Sequence, residues 1–228
     1  MTLFDPHLAR ADHDEPSRIP AIRNNEKDQN MDTTVPTIEP ARTALLLMDF
    51  QPAVLAAVPD GDGVLSRAQA ALSWARSHSV QVVYVRVALT EEDFAAVPSR
   101  NKTFGPVAEN RLLADDTPET TLHESLDILE QDITVRKNRI SAFASTTDLR
   151  GILRDRGIDT LVLAGLSTGG VVLTTLRQAA DDDYRLYVLK DATGDPDPEV
   201  HRVLSEKVFP HQAHVVNTDD LWELSMAA

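Results

Sequence analysis

The chain has 228 residues, room for one α/β domain with a spare terminal segment. Its 22 lysines and arginines against 36 aspartates and glutamates leave a net charge of -14, which repels nucleic-acid phosphates and anionic lipid headgroups, so neither nucleic acid nor membrane is an expected partner. Cysteine is absent, which removes disulfides, thiolate metal sites, iron–sulfur clusters and every cysteine nucleophile, and no stretch approaches the roughly 20 apolar residues of a membrane-spanning helix.

Residues 1 to 42 hold 5 of the 13 prolines, many charges and no sustained periodicity, and read as an extended proline-rich arm ahead of a domain over 43 to 228. The opening MTLFDPHLAR has charges where a signal peptide needs an apolar segment, so a cytoplasmic location is expected. A start at Met31 would also suit a compact domain, and the piece before it reads equally as a natural arm or a start-site extension.

From residue 43 the pattern becomes regular. TALLLMDF (43 to 50) is a short continuous apolar run ending in an acid, the form of a strand buried on both faces of a parallel sheet. VLSRAQAALSWARSHS (64 to 79) puts Val64, Leu65, Ala68, Ala71, Leu72 and Ala75 on one helical stripe. VQVVYVRV (80 to 87) reads as a second strand. Residues 90 to 131 are irregular and polar, a length used for lids and pocket walls, and Phe94, Asn101, Lys102 and Phe104 there are read equally as specificity residues or as a packing flap. DITVRK (132 to 137) is a third strand. STTDLRGILRDRG, DTLVLAGL, a helix from about Gly170 to Asp182, YRLYVLKDA, a helix begun by DPDPEVHRVLSEKVF, AHVV and TDDLWEL complete the alternation. Strands alternating with helices predict a three-layer α/β/α fold around a mostly parallel sheet, with ligands bound outside the carboxyl ends of its strands.

That rule selects Asp49, Arg86, Lys137 and the segment AGLSTGGVV (164 to 172). Asp49 follows LLLM directly, where partial desolvation raises a carboxyl pKa, so it reads as a proton carrier or as a turn cap. Lys137 closes VRK and is either a partner for that acid or a solvated strand end. Gly165, Gly169 and Gly170 bracket a strand-to-helix turn whose main-chain N–H groups suit developing negative charge. Neither GxxxxGK[ST] nor GxGxxG occurs, which leaves nucleotide binding with little support. The seven histidines are scattered and read as surface residues, GLSTG departs from the GxSxG elbow, and Asp181 to Asp183 read as a solvated turn.

In this order and spacing, TALLLMDFQ with Asp49, TVRKNRISAF with Lys137, and LVLAGLSTGGVVLTTLRQAADDDYRLYVLKDA resemble the isochorismatase-like hydrolase superfamily over about residues 43 to 220. The family pattern Gly-x-Ala/Ser-Thr-x-x-Cys falls on Gly165, Ser167, Thr168 and, at the cysteine position, Val171. Family amidases use that thiolate for a covalent acyl intermediate, a route closed to valine. Family isochorismatases also lack the cysteine and cleave a vinyl ether by acid–base chemistry, with the aspartate delivering a proton. The resemblance further implies a cis peptide at Leu166–Ser167, an oxyanion hole from the N–H groups of Ser167 and Val171, and dimers or larger rings. The Asp-x-His metal motif of some nicotinamidases has no counterpart, because residues 50 to 63 contain no histidine, so no metal or cofactor is expected.

The expected function is therefore a hydrolase acting on a small molecule, with Asp49 as general acid/base, Lys137 as its electrostatic partner and the 167 to 171 turn as anion cradle. Its substrate pocket is expected to be lined by Gln51, Arg86, Phe104, Phe143, Gly169 and Gly170. A variant makes Ser167 or Thr168 the nucleophile, against which no histidine base is evident nearby. The alternative class is a catalytically silent small-molecule binder or assembly partner that keeps the fold.

Overall fold

The structure is a computed structural model and describes residues 35 to 225. The expected arm lies outside the described residues up to position 34. Its last stretch packs against the body, where Ile38 is buried and Pro36 accepts a hydrogen bond from the Tyr187 hydroxyl at 2.8 Å.

Six strands form one sheet: β1 (Thr43–Met48), β2 (Gln81–Val87), β3 (Ile133–Lys137), β4 (Thr160–Leu166), β5 (Arg185–Gly194) and β6 (His214–Val216). The spatial order is β3-β2-β1-β4-β5-β6 and every pairing is parallel. Parallel strands need crossovers, and the helices that supply them cover both faces. The apolar run of β1 follows from this: all six of its residues are buried, with Leu45 and Leu47 in one core and Ala44, Leu46 and Met48 in the other.

The helices are α1 (Pro52–Leu55), α2 (Gly61–Ser77), α3 (Glu91–Ala96), α4 (Phe104–Glu109), α5 (Leu149–Asp155), α6 (Leu173–Asp181), α7 (Pro198–Val203) and α8 (Asp220–Ser225). All six residues of the apolar stripe read from the sequence are buried along α2, together with Trp74, whose indole N–H donates to Ser225 Oγ at 3.1 Å. Burying each large apolar side chain stabilises by roughly 1.5–3 kcal/mol, so this face holds α2 to the sheet. Among the described residues no helix is long and apolar enough to cross a membrane.

Two helices depart from the sequence expectation. The helix expected from about Gly170 opens with a wide π-type turn over Thr168–Val172 before α6, and α7 relaxes into a second such turn over Leu204–Val208. Such turns widen the backbone locally and recur at functional sites. The 90 to 131 segment contains α3 and α4. The former is fixed by a reciprocal capping box between Thr90 and Asp93, and Phe94 and Phe104 build a small core with Val87 and Leu89.

The order of strands reverses between β1 and β4, which leaves a crevice at their carboxyl ends. The two chains approach closely there: a Cβ on Gly165 would stand 2.7 Å from the Met48 carbonyl oxygen, and backbone cannot yield as a side chain does. Only glycine allows β4 to lie against β1 at this point.

Candidate active site

Three chain segments meet at that crevice. Asp49, one residue past β1, has a φ of 61°, a left-handed conformation that aspartate tolerates better than bulkier residues. Its N–H donates to Val85 at 2.7 Å and its carbonyl accepts from Gln51 at 2.8 Å, so the main chain on both sides fixes where the carboxyl stands. Non-glycine residues held in this region cluster at functional sites.

Lys137 is the last residue of β3, two strands away from β1, and its extended stem spans the gap. Its ammonium donates to Asp49 Oδ2 at 2.7 Å and to the Arg139 carbonyl at 3.2 Å. Both side chains are almost wholly buried, at 6% exposure for Asp49 and 2% for Lys137. The other carboxyl oxygen, Asp49 Oδ1, is buried without a hydrogen-bond partner. Burial pushes the Asp49 pKa above its ordinary value, while the neighbouring ammonium acts to lower it; desolvation is the larger effect and the net direction is upward.

The third segment is the turn after β4. The Leu166–Ser167 peptide is cis, as the resemblance implies. Ser167 Oγ would lie 2.7 Å from a Cβ placed on Gly170, so the glycine makes room for the serine side chain within the turn. Ser167, Gly170 and Val171 face a cavity of about 380 Å³ that also exposes Asp49, Lys137 and Phe104. The rest of the wall is largely apolar, with Val54, Val58, Val107, Leu113 and Ile140 among its members. An apolar pocket with a few convergent polar groups is the usual form of a small-molecule site.

Several residues expected at the pocket stand elsewhere. Gln51 is fully buried beneath it: its amide donates to the carbonyls of Val87 (3.0 Å) and Thr120 (2.6 Å) and accepts from Val87 N–H (2.8 Å), bracing β2 and the insert. Arg86 turns to an ion pair with Asp115. Phe143 is in the core below α6, stacked on Tyr184 at a centroid distance of 6.1 Å. Thr168 points behind the turn, and Gly169 has its N–H engaged by Asp195 at 2.7 Å. In the insert, Phe104 reaches the cavity, Asn101 and Lys102 line neighbouring ones, and Phe94 is core.

The surface reading fails for several histidines: His78 packs against Trp74 and Trp222, His214 against Tyr187, and His201 against the turn. His201, on α7, is half-buried and its Nδ1 shares a hydrogen bond of 2.8 Å with Thr168 Oγ1, so a histidine does stand beside the turn. Burial holds its pKa below the ordinary value, with Asp195 acting in the opposite direction. This pair lies outside the wall of the Asp49 cavity, and together with Asp195 it clamps the turn from the rear. Asp195 directly follows β5, but the strand read from the sequence, YRLYVLKDA, stops at Ala192, so the sequence marked neither it nor His201 nor the apolar wall. Among the described residues no group of three or more histidine, aspartate or glutamate side chains is arranged to hold a metal ion.

Known proteins with this architecture share both sequence and shape. The family described as Isochorismatase domain matches residues 43–220. The ureidoacrylate amidohydrolase RutB of Rhizobium rhizogenes is 28% identical over 204 residues, covering 80% of this chain and 79% of the relative. The uncharacterized isochorismatase family protein YecD of Escherichia coli O157:H7 is 30% identical over 184 residues, covering 78% of this chain and 94% of the relative. Among solved structures, a cysteine hydrolase from Pseudomonas syringae pv. phaseolicola superposes with a TM-score of 0.73 at 24% identity over 84% of this chain and 97% of that one. The N-carbamoylsarcosine amidase of Thermoplasma acidophilum gives 0.64 at 23% identity over 78% and 97%. With a matching domain that spans the whole sheet and the Asp49 cavity, the chain belongs to the isochorismatase-like hydrolase superfamily.

Proposed function

We propose that this chain hydrolyses a small organic molecule by proton transfer from Asp49, with no covalent enzyme intermediate. The observation that carries the reading is the buried, unpartnered Asp49 Oδ1 at the wall of a largely apolar cavity, with Lys137 bound to the opposite oxygen. Desolvation favours the protonated acid, and the lysine both orients the carboxyl and stabilises the carboxylate left after the proton is given up. Valine stands at position 171, where the family amidases have their thiol, so bond breaking must proceed without a nucleophilic side chain there.

On a vinyl ether the steps balance as follows. The C=C electron pair takes the Asp49 proton at the terminal carbon, leaving an oxocarbenium ion. Water adds to the cationic carbon and gives one proton back to Asp49, and the hemiketal C–O bond then breaks as the remaining hydroxyl proton passes to the departing oxygen, releasing an alcohol and a carbonyl compound. No negative charge develops on this path, so the N–H groups of Ser167 and Val171 would act as an oxyanion cradle only if water attacked a C–N substrate's carbonyl carbon.

A second reading, hydrolysis of an activated C–N bond by water with Asp49 as base, is supported by the amidohydrolase and amidase names among the relatives. Turnover of a panel of vinyl ethers, ureido acids and activated amides separates the two. The first reading expects product from vinyl ethers and negligible cleavage of the C–N compounds, whereas the reverse pattern selects the second. No turnover of any member would favour a binding protein.

A further inference from the structure

Thr103, Phe104 and Ile140 line two cavities at once, the one containing Asp49 and a second of about 550 Å³. The two spaces are therefore neighbours across a shared wall. The second is bounded on its other sides by Leu173 and by the stems and heads of Asn101, Arg139, Ser141, Thr174, Arg177 and Gln178, which together present a mostly apolar surface.

Most of the neutral groups are already engaged. Ser141 donates to Gln178 Oε1, Thr174 Oγ1 donates to the Gly170 carbonyl at 2.8 Å, and Asn101 Oδ1 accepts from the N–H groups of Thr103 and Phe104. The spare donors belong to the two arginines. The Arg139 guanidinium lies over the Phe104 ring, 5.5 Å from its centroid, and gives one N–H to the Asn138 carbonyl at 2.6 Å. Among the described residues neither Arg139 nor Arg177 has a carboxylate within ion-pair distance, a property shared with Arg100, Arg156 and Arg185, none of which lines this cavity. No carboxylate lines this cavity, although four other cavities of the protein each contain at least one. In a chain of net charge -14, an acid-free wall with two unpaired guanidiniums is a local reversal of sign.

We propose that this second cavity is the anion-holding half of the substrate site. The ligand class is a small amphipathic carboxylate, with its apolar portion and scissile bond against Asp49 and its carboxylate held by Arg139 and Arg177. Arginine matches the planar geometry of a carboxylate with two parallel N–H groups. The inference rests on the reading of the Asp49 cavity as the substrate site and narrows that substrate to an organic acid.

Benzoate and benzamide, which have nearly the same shape and differ in charge, test it by calorimetric titration of the full chain. Benzoate is expected to bind at least about tenfold more tightly, the order of one charge-assisted hydrogen bond. That preference should vanish in Arg139→Gln/Arg177→Gln and persist in Asp49→Asn. Equal affinity of the wild-type chain for the two compounds overturns the proposal without recourse to any variant, as does a preference that survives loss of both arginines. If Asp49→Asn retains full turnover while the benzoate preference depends on the arginines, the acid–base reading fails and the anion site stands.

Discussion

Asp49→Asn is expected to lower turnover of the best vinyl ether substrate by about 10²–10⁴-fold, the range a positioned proton donor contributes, with little change in KM. The amide has almost the same volume and can still accept from Lys137, so packing and substrate binding are retained while the transferable proton is lost. The pH dependence has a definite sign. A general acid works only when protonated, and burial pushes the Asp49 pKa above its ordinary value. Wild-type activity should be full at the acid end, persist to higher pH than an ordinary carboxyl allows, and fall as pH rises through the elevated pKa. The Asn variant should lose that limb. Turnover in Asp49→Asn equal to wild type would remove the acid from the reaction.

The second large effect concerns stability. Asp49 and Lys137 are buried together at 2.7 Å, so removing one partner leaves a charge desolvated and uncompensated. Above the Asp49 midpoint, where the pair is ionised, Asp49→Asn and Lys137→Met are each expected to cost about 3–5 kcal/mol in urea unfolding, whereas below it Asp49→Asn, which replaces a neutral carboxyl by a neutral amide, costs little. The double variant, with no buried charge at the site, should recover most of that loss, a coupling of several kcal/mol measurable as a double-mutant cycle. The folded pKa of Asp49 lies above its unfolded value, so its contribution to stability is fully present below the unfolded pKa and is lost as pH rises through the folded one. Without the opposing lysine this loss grows, and Lys137→Met should be progressively less stable than wild type toward alkaline pH. Costs that merely add in the double variant would mean that the two groups do not interact.

The elements that declared themselves in the sequence are those whose physics is local or periodic. The unbroken apolar run from Ala44 to Met48 required burial on both faces, and the stripe along α2 required one buried side, so sheet and layer were legible. Asp49 was legible because a charge at the end of an apolar strand is costly unless it has a purpose or a partner, whereas Lys137, equally readable as a solvated strand end, was singled out by the family resemblance. Direction was what the sequence withheld. Gln51, Arg86 and Phe143 lie close in sequence to the strand ends, yet their side chains turn to Val87, Asp115 and Tyr184, partners separated from them by 36, 29 and 41 positions. His201 was passed over for the same reason, since its partner Thr168 is 33 positions away. The apolar wall from Val54, Val107 and Leu113 has no chemical signature at all, and only the fold of the insert brings it to the cavity.

The account rests on a carboxyl that retains its proton where ordinary aspartates have lost theirs. Carbon-13 NMR titration of the Asp49 carboxyl carbon, run beside the pH profile of turnover on the same preparation, measures this directly. The account predicts a midpoint above the ordinary carboxylate range and a rate that falls through the same midpoint. A carboxyl already ionised across the active range, with turnover indifferent to its titration, would contradict it.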